Sequence, residues 1–198
     1  MVDAQTLRDV MVRALRRCAF MIDLMHILFV CTGNICRSPT GERLARAFAE
    51  EAEIADLTAS SAGTRALVGH AVEPTAALVL EGLGGNPSNF RARRLTTAIA
   101  SEADLILAMT ERHRDKILAL APMQFKRTFT LREAARLAEE SDATTVAELA
   151  SARPRFHVQE SEDVADPIGL DEETFHAVGL EIATLLVPLL QRIAIPAH

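Results

Sequence analysis

The residues best suited to covalent chemistry are Cys31 and Arg37, which stand six positions apart. An apolar run of strand character at 26–30 precedes Cys31, and a helical pattern runs from Pro39 to Glu53. The intervening residues therefore form a loop that enters a helix start. Helix starts carry unpaired N–H groups and partial positive charge, so we expect this loop to bind a phosphate-sized anion.

The composition of the loop suits a tight anion cradle. The candidate phosphate-binding residues are those of the loop and its exit, namely Thr32, Gly33, Asn34, Ile35, Cys36 and Ser38. Gly33 and Asn34 tolerate positive φ, which a closed loop of this kind usually requires. Ser38 is expected to be the N-cap of the helix, and Pro39 to take its first position.

A cysteine at the base of such a cradle is predicted to act as a nucleophile, because the positive field favours the thiolate. The planar fork of Arg37 can bind two phosphate oxygens, and with the loop amides it would stabilise the transition state. We expect Cys31 to attack phosphorus, giving a cysteinyl-phosphate that water hydrolyses. Cysteine and arginine at this spacing alone are more often structural, but the whole string favours catalysis.

The string Cys31–Ser38 resembles the signature of the low-molecular-weight protein tyrosine phosphatases. Residues 61–64 are similar to the end of the family's second strand, residues 104–109 to its third strand, and residues 164–167 to its Asp-Pro loop. Order and rough spacing agree over residues 25–192. The resemblance implies an α/β fold with a four-stranded parallel sheet and helices on both faces. It also implies a phosphorylated protein substrate and an enzyme without cofactor or metal.

The resemblance assigns roles position by position. Cys31 matches the nucleophile, Arg37 the phosphate-binding arginine and Asp166 the proton donor. Asn34 and Ser38 match the residues that lock the loop and hydrogen-bond the thiolate. A proton donor is also expected on chemical grounds, since expelling an alkoxide or phenolate needs a proton. The neighbouring acids are interpreted as bystanders: Glu160, Glu162 and Asp163.

The chain departs from the family in its pocket walls and contains no Tyr and no Trp. The family usually has aromatic residues where this chain has Leu67 and Ile168, so an apolar wall of lower shape selectivity is expected. A phosphatase for small molecules or other phosphoesters, and a phosphate-binding module without turnover, remain alternatives. Thioredoxin-coupled arsenate reductases need further cysteines, and none follows Cys36. Related arginine phosphatases have Thr at the position of Ile35, which favours phosphate esters here.

Bulk composition narrows the function classes. The 198 residues are 49% apolar and 24% charged, which is typical of a globular domain. The net charge of −6 argues against nucleic-acid binding, and no apolar run of about 20 residues predicts a membrane span. Three cysteines form no disulfide framework and favour a reducing, cytoplasmic location. Under oxidation Cys36 either captures Cys31 in a reversible disulfide or merely packs inside the loop.

The chain alternates strand and helix patterns, which predicts a flavodoxin- or Rossmann-like sheet that binds its ligand at the strand carboxyl ends. We predict a single domain over residues 25–198, preceded by a helical N-terminal extension over residues 1–24. The predicted strands are 26–30, 56–61, 104–108 and 127–130. The predicted helices are 39–53, 73–81, 111–119, 131–139, 145–150 and 172–192.

Overall fold

The computed structural model describes residues 25–156 and 161–194, so the predicted N-terminal extension lies outside the described residues. The four strands form one parallel sheet with the spatial order β2-β1-β3-β4. Their bounds are Met25–Cys31 (β1), Leu57–Gly63 (β2), Leu105–Ala108 (β3) and Thr128–Thr130 (β4). The predicted fold class is confirmed.

Helices fill the connections between strands and follow the last one. They are Arg37–Glu51 (α1), Pro74–Gly82 (α2), Thr97–Ser101 (α3), Glu111–Leu120 (α4), Leu131–Ser141 (α5), Val146–Ala152 (α6) and Glu172–Ile193 (α7). A 3-10 helix at Pro122–Arg127 leads into β4. The six predicted helices are confirmed to within two residues at each end. The sequence pattern missed α3 and the 3-10 helix because a single turn or two shows too little periodicity.

The central strand β1 is buried on both faces of the sheet. Ile27 and Phe29 pack with α1, α5 and α7, whereas Leu28 and Val30 pack with α3 and α4, and all four side chains are fully buried. Burial on both faces explains why β1 is an uninterrupted apolar run. It also fixes the position of Cys31, the last residue of the strand.

Helix α7 has the length and composition of a membrane span, with a mean hydropathy of 1.4 over 18 of its 22 residues. In this fold the helix packs against α1, α2 and α5. One side of the helix is buried in the core through Phe175, Val178, Ile182, Leu186, Leu189 and Leu190. Its apolar character is therefore accounted for by packing inside the domain.

Arginine side chains cover outward-facing carbonyl groups on both edge strands, β2 and β4. Each arginine donates a side-chain N–H to a strand carbonyl that no neighbouring strand uses. The pairs are Arg46 to Ala59 (3.0 Å), Arg93 to Ser61 (2.8 Å) and Arg153 to Thr128 (2.6 Å). Beyond Ser61, the carbonyl of Gly63 accepts from the N–H of Leu95 at 2.9 Å.

Candidate active site

The loop that carries Cys31 lies where the carboxyl ends of the strands meet. Cys31 pairs in register with Gly63, the last residue of β2, and Val30 pairs with Ala108, the last residue of β3. The Cys31 side chain is buried, and helix α1 starts at Arg37. The predicted strand–loop–helix arrangement is therefore present.

Ser38 is not the N-cap, and that prediction is wrong. The helix starts one residue before Ser38, the N-cap position belongs to Cys36, and Pro39 is the third helical residue. The Ser38 hydroxyl is instead 2.9 Å from the Cys31 sulfur. A Ser38 hydroxyl that contacts the sulfur does not also bind an N–H group of the first helical turn. The contact with Cys31 therefore replaces the expected cap.

The Cys31 sulfur has two potential hydrogen-bond donors. The backbone N–H of Asn34 points to it at 3.3 Å, and the Ser38 hydroxyl lies on another side. Hydrogen bonds to an ionised group stabilise its charge. The pair of donors thus suits a sulfur that carries negative charge.

Asn34 organises the loop through a chain of buried hydrogen bonds. Of the two loop residues that tolerate positive φ, Asn34 adopts it, with a φ of 56°, and Gly33 does not. The Asn34 side-chain amide donates to Ser38 at 2.9 Å and to Ser61 at 2.8 Å, and its side-chain oxygen accepts from the N–H of Arg93 at 2.8 Å. Since Ser38 accepts from Asn34, its own proton is available for the Cys31 sulfur.

Segments flanking the loop bind its carbonyl groups from outside. Backbone N–H groups of residues 64, 65, 67 and 73 donate to the carbonyls of residues 31, 32, 33 and 35 at 2.7–2.9 Å. Among the described residues, no hydrogen-bond acceptor was found for the backbone N–H groups of Gly33, Ile35, Cys36, Arg37 and Ser38. The loop carbonyls are thus bound by flanking segments, whereas several loop N–H groups are left unpaired. This arrangement produces an anion-binding cradle.

Arg37 connects this cradle to the Asp166 loop. Its side chain is only 4% exposed, and its guanidinium donates to the Val164 carbonyl at 3.0 Å and to Oδ2 of Asp166 at 2.5 Å. The Val164 N–H donates in turn to the carbonyl of Met109, just beyond β3, at 2.8 Å. Cys31, Arg37 and Asp166, which are far apart in sequence, therefore gather at one edge of the sheet.

Asp166 is the acid of its stretch that contacts Arg37, and its side chain is half exposed. The other acids of the stretch have different partners. Glu162 forms an ion pair with Arg136 at 2.8 Å, and Asp163 accepts from the N–H of Glu111 at 2.7 Å. Glu160 lies outside the described residues. These contacts agree with the interpretation of Glu162 and Asp163 as bystanders.

Cys36 is buried beside the candidate nucleophile, and both thiols are free. Burial, followed by the negative charge of Cys31, raises the pKa of Cys36 to about 12. Cys36 is therefore a thiol at neutral pH, and its sulfur is a poor nucleophile in that form.

His113 is a site residue that the sequence interpretation did not single out. Its Nε2 lies 2.8 Å from Oγ1 of Thr32, and its Nδ1 lies 2.8 Å from Oγ1 of Thr110. Burial, followed by the nearby charge of Arg37, lowers the pKa of His113 to about 4, so the ring is neutral at pH 7. Its position shortly after β3 could have indicated this role, because the carboxyl ends of β1 and β3 lie on the same side of the sheet.

The rim of the site is aliphatic. Leu67 donates its N–H to the carbonyl of Gly33 at 2.9 Å, and Ile168 donates to Oδ1 of Asp166 at 3.3 Å, so these residues flank the cradle on two sides. Both side chains are about half exposed, and the neighbouring Val68 and Leu170 are exposed as well. Among residues 25–156 and 161–194, no group of three His, Cys, Asp or Glu side chains can hold a metal ion.

Comparisons with known proteins agree with this geometry. The family model of the low molecular weight phosphotyrosine protein phosphatases matches residues 26–148. The probable low molecular weight protein-tyrosine-phosphatase AmsI of Erwinia amylovora is 43% identical over 96 residues, which cover 48% of this chain. The matched stretch spans 63% of that relative, which is less than two thirds of its length.

Two solved structures extend the likeness over most of the chain. The low molecular weight protein tyrosine phosphatase of T. tengcongensis superimposes with a TM-score of 0.69 at 29% identity, covering 85% of this chain and 99% of its own. The YwlE arginine phosphatase of Geobacillus stearothermophilus gives 0.64 at 30% identity, with coverage of 84% and 91%. From the matched family model and this shared architecture, the chain belongs to the low molecular weight phosphotyrosine protein phosphatase family.

Proposed function

We propose that this protein is a cysteine-dependent phosphomonoesterase that hydrolyses phosphotyrosine in proteins. The observation that supports it best is the set of unpaired loop amides around the buried Cys31 sulfur, with Arg37 beside them. Amides held in this way need no reorganisation when negative charge develops on the phosphoryl oxygens. A cradle of this kind binds a phosphate group or a similar oxyanion.

In the first step, the Cys31 sulfur attacks phosphorus in line with the leaving oxygen. The S–P bond forms and the P–O bond to the leaving group breaks, while loop amides and Arg37 stabilise the equatorial oxygens. Phosphate binding draws the Arg37 guanidinium from Asp166 to the phosphoryl oxygens. Asp166, when protonated, then donates its proton to the leaving oxygen.

In the second step, water attacks the cysteinyl-phosphate. The Asp166 carboxylate accepts a proton from that water, the S–P bond breaks, and inorganic phosphate leaves. The Ser38 hydroxyl, 2.9 Å from the sulfur, donates to the thiolate as it reforms. The cycle leaves Cys31 and Asp166 as they began.

The aliphatic rim determines which phosphorylated group fits. Leu67 and Ile168 offer apolar contact to an aromatic ring, but without the stacking geometry of aromatic walls. Small phosphoesters therefore remain a second candidate substrate class, and phosphoarginine a third, because an arginine phosphatase shares this fold. A cytoplasmic location is proposed as well, because a reducing compartment keeps Cys31 in its reactive form.

The test is hydrolysis of p-nitrophenyl phosphate in the presence of a metal chelator. We expect nitrophenolate release by the wild type and loss of release in Cys31→Ser. Full release is expected in the matched control Cys18→Ser, which changes the one cysteine of the sequence that lies outside the Cys31–Ser38 string. Full activity in Cys31→Ser would overturn the proposal. Binding of inorganic phosphate without release by the wild type would favour the binding module.

A panel of peptides then identifies the substrate. Phosphotyrosine, phosphoserine and phosphoarginine peptides are compared at equal concentration by phosphate release. A clear preference for phosphotyrosine supports the proposed substrate. A preference for phosphoarginine or for free small phosphoesters would instead identify that class as the substrate.

A further inference from the structure

Three cations lie together on the Thr32 side of the candidate site. We call Arg65, Arg112 and Lys116 the basic triad. The backbone N–H of Arg65 donates to the carbonyl of Thr32 at 2.9 Å. Arg112 and Lys116 flank His113 on helix α4, and the His113 ring contacts the Thr32 hydroxyl at 2.8 Å. Arg65 is therefore bound directly to one residue of the cradle, and the helix that carries Arg112 and Lys116 is bound to the same residue through His113.

The basic triad has no acidic partner among the described residues, whereas nine of the fifteen arginines in that part of the chain do. Arg37, Arg46, Arg136 and Arg153, for example, each bind a carboxylate. The three cations are close enough for Arg112 and Arg65 to contribute to the lowered pKa of Lys116, after its desolvation. Like charges held together without a counterion attract an external anion.

The side of the site formed by the Asp166 loop and the start of α7 has the reverse charge. The Asp166 loop leads through the exposed Ile168 and Leu170 to the start of α7, where Glu172 and Glu173 are exposed. An anionic residue in a bound segment is attracted towards the basic triad and repelled by the start of α7. Charge across the opening thus favours one direction for the segment.

We propose that the basic triad binds a second anionic side chain of the substrate, located beside the phosphorylated residue in the same segment. This inference rests on the proposed function, since the first phosphate occupies the cradle. The preferred substrate is then a phosphorylated segment with an adjacent carboxylate or an adjacent second phosphate. Both groups offer the oxygens that arginine and lysine bind.

The test compares three phosphotyrosine peptides that have neutral neighbours, adjacent glutamates or an adjacent second phosphotyrosine. They are assayed with the wild type, with the double variant R112E/K116E and with the matched control Lys126→Glu. Lys126 is exposed in the 3-10 helix before β4, at the amino end of the sheet. Each kcat/KM is divided by the same protein's value for p-nitrophenyl phosphate, which corrects for altered folding or chemistry.

We expect the wild type and Lys126→Glu to favour the anionic peptides by about tenfold, equivalent to about 1.4 kcal/mol. The preference should vanish in R112E/K116E and shrink at high salt, because exposed ion pairs are screened. Equal normalised values in the wild type, or an unchanged preference in R112E/K116E, would overturn the inference. The glutamate and phosphotyrosine arms show which anion binds better.

Failure of the proposed function gives a different result. In that case the wild type releases no nitrophenolate, and the peptides are compared by their affinity for the same three proteins, measured by fluorescence anisotropy. Tighter binding of anionic peptides that is lost in R112E/K116E supports the basic triad alone. Equal affinities would overturn the triad as well.

Discussion

Arg37 and Asp166, which are 129 positions apart in the chain, form an ion pair at the mouth of the cradle through Nη2 and Oδ2. The arginine is buried and the aspartate is half exposed. One contact thus joins the phosphate-binding side chain of the loop to the candidate acid. When Arg37 binds a phosphoryl oxygen instead of Asp166, the carboxyl group of Asp166 becomes free to face the leaving group.

Asp166→Asn should slow turnover in a manner that depends on the leaving group. General acid catalysis typically contributes about 10²–10⁴-fold, so phenyl phosphate should lose at least roughly a hundredfold in kcat/KM, which reports the first step. Nitrophenolate leaves without a proton, so kcat/KM for its ester should fall much less. Steady-state kinetics with both esters provide the measurement. Phosphate inhibition should be retained, because the loop amides and Arg37, which bind the phosphate, are unchanged. Equal losses of kcat/KM for both esters would contradict the role as acid.

Asn34→Ala should destabilise the fold by about 2–4 kcal/mol, since it removes three hydrogen bonds, two of them buried, and places Ala at positive φ. Urea unfolding at neutral pH gives the free energy of unfolding. Asn34→Gly is the matched variant, because glycine accepts the backbone angle but not the hydrogen bonds. We expect Asn34→Gly to be the more stable of the two. Equal stabilities would mean that the 56° φ contributes little.

His113 should make the protein sensitive to acid. Its pKa is lowered to about 4 in the fold and is near 6.5 in the unfolded chain. The unfolded state therefore binds the proton first, and stability falls as pH drops from about 6.5 towards 4. Between pH 7 and pH 4, the free energy of unfolding of His113→Gln should fall by roughly 3 kcal/mol less than that of the wild type.

Unfolding in urea at several pH values measures this difference. The exposed His176→Gln provides the matched control and should follow the wild-type curve. Parallel curves for the wild type and His113→Gln would show that the ring is not held neutral. If the Thr32 contact also positions the loop, kcat of His113→Gln should fall while KM changes little.

Capture of an oxidised Cys31 by Cys36 should be slow at neutral pH. Disulfide formation releases hydroxide from the Cys31 sulfenic acid and requires the Cys36 thiolate. With a pKa of about 12, the Cys36 thiolate fraction rises about tenfold per pH unit through the neutral range. Mass spectrometry after brief peroxide treatment should therefore detect more Cys31–Cys36 disulfide at higher pH.

The matched variant Cys36→Ser should form no disulfide and should be inactivated irreversibly at every pH. A disulfide yield independent of pH in the wild type would show that the thiolate fraction of Cys36 does not limit the capture. In that case Cys36 would be freed from its buried position before the reaction.

The β-α order and the positions of Cys31 and Arg37 were predictable because they depend on local patterns. Apolar runs, helix periodicity and the spacing of the loop residues are all properties of neighbouring positions. The prediction that Ser38 caps the helix was wrong because its hydroxyl contacts the Cys31 sulfur, as the family resemblance implied, and only the folded loop brings the two together. Local capping preference was the weaker effect at that position.

The supports of the loop were not predictable from the sequence. Asn34 binds Ser61 and Arg93, which are 27 and 59 positions away. The contact between Thr32 and His113 spans 81 positions. Contacts of this range follow from the parallel register of the strands, which a single sequence does not specify.

The arginines on the two outer strands have a consequence for the behaviour of the protein in concentrated solution. An added strand would have to hydrogen-bond to the edge-strand carbonyl groups. Arginine side chains already occupy several of these acceptors and place a positive charge beside them. Domain swapping and fibril growth through these borders are thereby disfavoured. Replacing Arg46 or Arg93 would expose β2 carbonyl groups to which another chain could bind, even where the active-site loop is unchanged.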